Sequence, residues 1–191
     1  GMLRKLALRT KVPIAVLRSF HKYAGKEGDV KAKFMSSGDF HGMPHELYLC
    51  VGARVLLIHN EWVEAGLMNG ALGYVRGFVW PRGGRPDAAE EKLQAPHCVV
   101  VEFDDVNLGY DEVEELGADG ERVTKKVPRS FFPGLTLGLD KKGKERSLKL
   151  VPIFRHGVSS DSGEEVERRQ FPLTLAWALS HWKAQGMTLF R

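Results

Sequence analysis

Apolar residues recur in short runs separated by polar, glycine-rich stretches, which is typical of a β-rich chain. Residues 47–60 predict two short strands, and residues 97–104 show the clearest strand pattern of all. Residues 71–80 predict another strand, in which Gly73 and Gly77 indicate a bulge or tight curvature. Short strands at roughly regular spacing predict a small closed or half-closed β-barrel.

The two flanks of this β-rich region carry mixed signals. Residues 3–20 partly fit both helical and strand spacing, and we favour a short helix followed by a strand after Pro13. Residues 148–154 predict an edge strand, because Pro152 has no N–H for a ladder. The remaining polar stretches predict turns, loops or linkers at 21–45, 61–70 (with an apolar plug, closing on Asn69-Gly70), 105–126, 140–146 (a hairpin tip or exposed loop) and 156–167.

Composition is that of a soluble globular chain, with 43% hydrophobic and 27% charged residues among 191. This length allows one sizeable domain, or one domain with a small insert. The net charge is +4, but residues 1–33 alone hold nine Lys or Arg against two acidic residues. Such an arm is either a solvated charged face or a surface for a polyanion, with nucleic acid ahead of an acidic membrane.

No apolar run approaches the roughly 20 residues of a membrane helix, so we expect no membrane partner. Two cysteines, Cys50 and Cys98, make a disulfide framework an unfavourable interpretation and favour a reducing compartment. His41 and His45 lie near Cys50, and His97 adjoins Cys98, and zinc uses ligands of these types. Paired ligand spacing is lacking, and we favour loop histidines and buried cysteines over a metal site.

The sequence contains no P-loop, dinucleotide fingerprint, zinc-protease motif or nucleophile elbow. We therefore predict no catalytic residues in this chain. Residues 169–189 are the most suggestive stretch, because a Pro-bounded apolar run leads into a polar turn that holds Lys183, Gln185 and Gly186. That order suits a loop that grips a phosphate-rich ligand at the edge of a buried sheet, although the turn alone is a weak signal.

Several segments together resemble the C-terminal part of the petite-integration-frequency family of ATP-dependent DNA helicases, which are RecD-like, superfamily-one enzymes. The most specific part is the Gly-Ala-Arg-Val series followed by Asn and Gly-Leu-x-Asn-Gly-Ala-x-Gly. The similar segments follow the family order over most of the chain: Leu47-Tyr-Leu-Cys-Val-Gly-Ala-Arg-Val-Leu-Leu-Ile-His-Asn60, Gly66-Leu-Met-Asn-Gly-Ala-Leu-Gly73, Val99-Val-Val-Glu-Phe-Asp-Asp105, Arg169-Gln-Phe-Pro-Leu-Thr-Leu-Ala-Trp-Ala178 and Lys183-Ala-Gln-Gly-Met-Thr-Leu189.

The resemblance implies a mixed α/β, β-rich fold, in which a small β-barrel is inserted in part of a second RecA-like helicase domain. The barrel would be Src-homology-three-like or OB-like. Residues 1–46 would form part of the RecA-like domain and a basic loop, and residues 47–167 would form the inserted barrel. Residues 168–191 would return to the second RecA-like domain and carry the fifth helicase motif, which is truncated here.

The resemblance also implies roles for the closing motif. Ser180 stands where the family usually has a phosphate-contacting Thr, and Lys183 matches the family, so both are predicted to bind DNA. Trp182 replaces the usual His and either stacks on a base or packs in the core. Gln185 and Gly186 match the family and would couple nucleotide state to the grip on DNA. Trp62 and Trp80 carry the same two interpretations as Trp182.

The function implied is that of a C-terminal fragment of an ATP-dependent 5′–3′ DNA helicase, which contributes single-stranded DNA binding and coupling. The full-length parent would use ATP and magnesium, and its first RecA-like domain would lie upstream. This chain alone is predicted to bind neither cofactor and to hydrolyse no ATP, since it lacks the P-loop. The parent would be intracellular, nuclear or mitochondrial in a eukaryote. The alternatives are a non-catalytic β-barrel module for nucleic acid or protein, derived from a helicase, and a degenerate fragment without function.

Overall fold

A computed structural model describes residues 1–23, 26–27, 34–81, 95–116, 121–132, 136–139, 145–147, 149–161 and 165–177. This part of the chain contains one α-helix, α1 (Met2–Thr10), and fifteen short strands. The strands are β1 (Ala15–Arg18), β2 (Phe20–Tyr23), β3 (Lys26–Glu27), β4 (Glu46–Leu49), β5 (Arg54–Leu57), β6 (Leu72–Val79), β7 (Cys98–Phe103), β8 (Tyr110–Leu116), β9 (Arg122–Pro128), β10 (Thr136–Leu139), β11 (Glu145–Ser147), β12 (Leu150–Ile153), β13 (His156–Ser159), β14 (Val166–Gln170) and β15 (Leu173–Leu175).

The largest sheet has five antiparallel strands in the order β12-β7-β6-β5-β15. The register of β6 against β7 shifts between Val75 and Gly77, which confirms the predicted bulge. At Gly73, a Cβ atom would lie 2.6 Å from Cγ1 of Val101 and 2.7 Å from the carbonyl oxygen of Glu102. Glycine is therefore needed at this position, because β6 and β7 approach too closely there for a side chain.

The main core covers one face of this sheet. Strands β5, β6 and β7 supply Val55, Val75 and Val101, each completely buried. Phe171 and Leu173 close the core from the end of the described chain, and both are also completely buried. Burying each such side chain contributes about 1.5–3 kcal/mol, so this cluster is the main source of stability.

Helix α1 packs on that core through Leu3 and Leu6. It ends at Thr10, because the next residue, Lys11, has a left-handed backbone with φ of 56° and Pro13 follows. The chain then enters β1, which pairs with β4. The predicted order of a short helix and then a strand is confirmed.

The stretch 61–70 forms the predicted turn. Val63–Ala65 is a single 3-10 turn, and Trp62 makes an isolated bridge to Leu67. Leu67 is buried in the main core and provides the apolar plug. Gly70 has φ of 102°, a conformation that glycine adopts without strain.

A second sheet has four antiparallel strands in the order β13-β14-β2-β3. It corrects two predictions: residues 21–23, predicted as loop, belong to β2, and residues 156–159, predicted as linker, form β13. Both strands pair with β14. Their sequences contain mainly His, Lys, Gly and Ser and show no apolar alternation. They form strands because they pair with β14, which lies far from β2 in the sequence and is not indicated by the local residues.

The acidic stretch also differs from its prediction as a loop. Strands β8 and β9 pair over seven positions as a hairpin whose described side chains are all exposed. Ion pairs such as Glu114–Arg122 and Glu115–Lys125 cross between the strands. A strand that buries neither face shows no hydrophobic period, which explains the wrong prediction. Strands β10 and β11 pair antiparallel, as the predicted hairpin requires, while residues 140–144 lie outside the described residues.

Within the residues described, the five-stranded sheet does not close on itself, since β12 and β15 are its two edges. The β-rich, mixed character of the chain is therefore confirmed, whereas the barrel remains a prediction. The edge position of β12, inferred from Pro152, is confirmed. The boundaries at 46–47 and 167–168 also remain predictions. No helix among the described residues is both long and apolar enough to cross a membrane.

Candidate nucleic-acid interface

The residues predicted to bind DNA or to couple it to nucleotide, Ser180, Trp182, Lys183, Gln185 and Gly186, lie outside the described residues. Their roles therefore remain predictions. The last described residues before them are β15, which pairs with β5, and Trp177, which is half-buried and packs against the main core.

The histidines weighed as zinc ligands have other partners. Nε2 of His41 lies 3.2 Å from Oδ1 of Asp161, and Nδ1 of His45 lies 2.8 Å from Oγ of Ser19. His97 is exposed and immediately precedes β7. In the part of the chain that the structure covers, no three His, Cys, Asp or Glu side chains come together in a way that could hold a metal ion.

The two cysteines are free thiols buried in apolar surroundings. Cys50 belongs to the main core, and Cys98 packs with Val100 and Leu150. Burial raises the pKa of both thiols, so each holds its proton more firmly than an exposed cysteine does. Both therefore act as small apolar side chains.

One completely buried arginine holds the segment before β4 against the four-stranded sheet. Arg168 donates from Nε to Nε2 of His21 at 3.0 Å, from Nη1 to the carbonyl of Met43 at 2.9 Å and from Nη2 to the carbonyl of Met35 at 3.1 Å. Its Cζ atom also lies against the ring of Phe40. Burial lowers the pKa of Arg168. Since solvent does not reach it, this side chain is structural.

Gln170 extends the buried polar layer, since its amide donates to the carbonyl of Leu17 at 2.8 Å. Val166, Arg168 and Gln170 all face inward from β14, while Glu167 and Arg169 do not. The alternation is regular, but its inward positions are mostly polar. A search for apolar alternation therefore misses this strand, although a period of two in any residue class would have indicated it.

The opposite face of the four-stranded sheet is open and carries aromatic and cationic side chains. Phe20 is 51% exposed and lies opposite Arg169 in the register. Nε of Arg169 lies 2.7 Å from the carboxylate of Glu167. Gly157 lies opposite Arg169 on the other side, and a Cβ atom there would collide with that carboxylate. Aromatic rings beside cations are the parts from which surfaces for single-stranded nucleic acid are built.

Arg155 lies at one end of this face and joins it to the core. Its Nη1 donates to the carbonyl of Arg18 at 3.0 Å. Its Cζ atom lies 4.4 Å from the ring centre of Phe20 and 4.8 Å from that of the buried Phe171. Burial lowers the pKa of Arg155 to about 10, so the guanidinium remains charged at neutral pH. Nothing in the local sequence indicates this site, because its parts come from segments that lie far apart in the chain.

The exposed face of the five-stranded sheet also carries arginines, but their charges are neutralised. Arg54 makes a two-pronged ion pair with Asp104, and Arg76 pairs with Glu102. The ring of Tyr74 contacts both arginines, with its centre 4.5 Å from Cζ of Arg54 and 5.7 Å from Cζ of Arg76. A polyanion would have to displace these carboxylates, so the face that carries Phe20 and Arg155 is the better candidate.

Trp62 and Trp80, each predicted either to stack on a base or to pack in the core, lie outside the four-stranded sheet. Trp62 is 38% exposed beside its bridge to Leu67. Trp80 is half-buried, with its ring centre 6.3 Å from that of Phe78. The roles of both residues remain predictions.

Comparison with known proteins first shows a similarity to DNA helicases. A family model described as DNA helicase Pif1, 2B domain, matches residues 33–78. A crystal structure of Pif1 helicase from Candida albicans aligns with 98% of this chain and 35% of that chain, with a TM-score of 0.53 and 24% identity. This similarity shows a shared fold.

The curated relatives of similar sequence are ATP-dependent DNA helicases named PIF1. The chain is 31% identical to ATP-dependent DNA helicase PIF1 of Emericella nidulans over 78% of its own length and 19% of that protein. It is 29% identical to human PIF1 over 75% of its length and 14% of that protein. A Psychrobacter Pif1 is 31% identical over 75% of this chain and 21% of its own length. The chain therefore spans about a fifth or less of these relatives. The resemblance identified from the sequence is confirmed: this chain is similar to part of the Pif1-type ATP-dependent DNA helicases.

Proposed function

We propose that this chain is part of an ATP-dependent DNA helicase that moves 5′ to 3′, and that it contributes binding of single-stranded DNA. The observation that carries the proposal is the similarity to PIF1 helicases over three quarters of the chain. The parent protein is proposed to act inside the cell in DNA repair or recombination. Its ATP and magnesium would be held by parts beyond the described residues, including a first RecA-like domain upstream.

Two surfaces would bind the strand. Ser180 and Lys183 would contact backbone phosphates, Trp182 would stack on a base, and Gln185 with Gly186 would transmit the nucleotide state. The open face of the four-stranded sheet supports the proposal, because it brings the ring of Phe20 and the guanidinium of Arg155 together. Residues 47–167 would form the inserted barrel of the helicase, and the flanking segments would belong to its second RecA-like domain.

The direct test is fluorescence anisotropy of a labelled thymidine oligonucleotide titrated with this chain at several salt concentrations. We expect binding that weakens linearly in log–log form, with a slope of about −0.7 for each phosphate contacted. A duplex of equal length should bind more weakly, because its bases are not available for stacking. Absence of binding at low salt, or equal affinity for polyglutamate, would overturn the proposal.

A matched pair of lysine variants tests the role given to the closing motif. Lys183→Gln should weaken binding and reduce the salt slope by the contribution of about one phosphate. Lys149→Gln removes the same charge from an exposed position next to β12 and should leave both quantities unchanged. Equal effects of the two variants would show that Lys183 acts only through the net charge of the chain and contradict its assigned phosphate contact.

ATP hydrolysis separates this chain from its proposed parent. Phosphoryl transfer needs P-loop amides and a lysine to position and neutralise the phosphates, and the sequence has no such loop. We expect no turnover by the chain alone above a blank. Turnover that a point mutation of this chain abolishes would contradict the expectation.

The second candidate is a non-catalytic module for nucleic acid or protein derived from such a helicase. The observation that favours it is the continuous core, which joins α1, the five-stranded sheet and Phe171 in one cluster. A chain with its own core has the means to fold and bind without a neighbouring domain. In that case oligonucleotide affinity of the complete gene product would be the same with and without a non-hydrolysable ATP analogue, whereas a working helicase would show a dependence.

A further inference from the structure

The guanidinium of Arg155 is only partly satisfied. Nη1 has its acceptor on Arg18, but Nε and Nη2 are buried and have no hydrogen-bond partner among the residues that the structure describes. None of the ion pairs in that part of the chain includes Arg155. Buried N–H groups of a charged side chain without acceptors are costly, and each such group calls for an explanation.

Two phenyl rings lie against this guanidinium, and they differ in how freely they can move. Phe171 is completely buried in the main core and fixed by its neighbours. Phe20 begins β2 and is half exposed, so its ring can rotate about χ1 without disturbing the core. If the Phe20 ring turns outward, the guanidinium and its two unpartnered N–H groups become accessible from the open face of the sheet.

We propose that Arg155 and Phe20 together bind one nucleotide of single-stranded DNA, with the Phe20 ring moving from the guanidinium to the base and the freed Nε and Nη2 of Arg155 donating to the phosphate. This inference rests on the proposed function and adds the residues and the ligand unit. A nucleotide supplies a π-face and an anion in one molecule, which matches an aromatic ring beside a guanidinium fork. A protein carboxylate would satisfy the fork but leave the Phe20 ring without a partner.

The charge of the neighbouring residues agrees with a strand that runs along this face. Arg169 lies next to Phe20 across the register, with 48% of its side chain exposed. Lys22 follows two positions along β2, on the same face as Phe20. Lys22 would therefore offer a further cation to a neighbouring phosphate, whereas Arg169 would first have to leave the carboxylate of Glu167.

The test compares four variants in the thymidine-oligonucleotide titration, each checked for folding by thermal melting. Arg155→Gln should weaken binding about tenfold and reduce the magnitude of the salt slope by about 0.7, because one phosphate contact is lost. Phe20→Leu should also weaken binding about tenfold but leave the salt slope unchanged, because it removes stacking and no charge. Arg155→Lys should keep the slope and lose part of the affinity, since lysine lacks the fork.

The control is Arg122→Gln, which removes an exposed cation from β9, a strand of the separate β8–β9 sheet. It should change neither quantity beyond the error of the measurement. If the wild-type chain binds no oligonucleotide, the proposed function fails and this inference fails with it. If the wild type binds and both Arg155→Gln and Phe20→Leu behave as Arg122→Gln does, only the present inference is overturned.

A second measurement observes the site itself. The Nε–H signal of Arg155, assigned by its loss in Arg155→Lys, should be visible in 1H–15N spectra of the free protein because it is buried. Adding saturating oligonucleotide should shift this signal in the wild type. The same shift should occur in Phe20→Leu at about a tenfold higher oligonucleotide concentration, because that variant binds more weakly. Saturating oligonucleotide with no shift, or a shift produced equally by polyglutamate, would overturn the proposal and indicate a protein carboxylate as the partner.

Discussion

The guanidinium of Arg168 lies over the ring of Phe40, with Cζ 4.0 Å from the ring centre, and both side chains are completely buried. The contact connects β14 to the segment that precedes β4. The hydrogen bonds of Arg168 to the carbonyls of Met43 and Met35 hold the same segment, and its bond to His21 ties β14 to β2. An arginine that binds backbone carbonyls in this way fixes a loop that has little apolar surface of its own.

Arg168→Met should therefore lower the free energy of unfolding by at least about 2 kcal/mol, because it removes the donors from two buried acceptors and one half-buried acceptor. Urea denaturation gives the value. Arg169→Met at the next residue is the matched control, and its half-exposed side chain should change the free energy of unfolding by less than about 1 kcal/mol. Equal losses in the two variants would show that the buried hydrogen bonds of Arg168 contribute nothing special.

Two glycines of β6 give a second matched pair. Gly73→Ala should destabilise the protein by about 1–3 kcal/mol, because its Cβ would meet Val101 and the backbone of Glu102 within 2.7 Å. Gly77→Ala should be nearly neutral or stabilising, because no atom lies within 4 Å of the position of its Cβ. Urea midpoints of both variants check the contrast, and a Gly73→Ala protein as stable as Gly77→Ala would contradict the close approach of β6 and β7.

How much of the fold the sequence predicts depends on whether a strand buries an apolar face. Cys98–Phe103 is buried along almost its whole length, so its apolar run predicts a strand at once. Phe20–Tyr23 was missed because its single inward side chain is a histidine that meets Arg168. The β8–β9 hairpin was missed because cross-strand pairing, rather than a buried face, makes it a hairpin.

The candidate site shows the same division between local and distant information. Lys183, Gln185 and Gly186 are recognisable because they lie within four consecutive positions of one motif. Arg155 and Phe20 are not, because the contact between them joins residues more than a hundred positions apart. A lone phenylalanine and a lone arginine carry no signal in a sequence, and only the pairing of β2 and β13 with β14 brings them together.

His59 predicts a dependence of stability on pH. Its ring centre lies 3.9 Å from that of His156, and burial first and the charge of His156 second lower the pKa of His59 below 6.5. The unfolded chain therefore binds this proton more readily, and the free energy of unfolding falls as pH drops below about 6.5. His59→Gln should make the loss of stability between about pH 7.5 and about pH 5.5 smaller. Urea unfolding at both pH values checks this, and an unchanged loss would contradict it.

The exposed β8–β9 hairpin should be dispensable for folding. Tyr110 and Pro128 lie opposite each other at its base, so a short glycine linker can replace residues 111–127. We expect the free energy of unfolding to change by less than about 1 kcal/mol, since exposed ion pairs contribute little and the hairpin buries no apolar face. Urea denaturation of the shortened protein measures the change, and a loss above about 2 kcal/mol would show that the hairpin packs on the rest of the chain.

The pairing of β15 with β5 has a consequence for how the protein is made. Val55 pairs with Leu175, so on the ribosome the edge of β5 waits until about 120 further residues have been synthesised. The pairing of β2 with β14 imposes a similar delay. Contacts between such distant residues slow folding, because long loops must close before the contacts form. The nascent chain therefore displays unpaired, apolar strand edges for seconds, and a chaperone that covers them should raise the yield of folded protein.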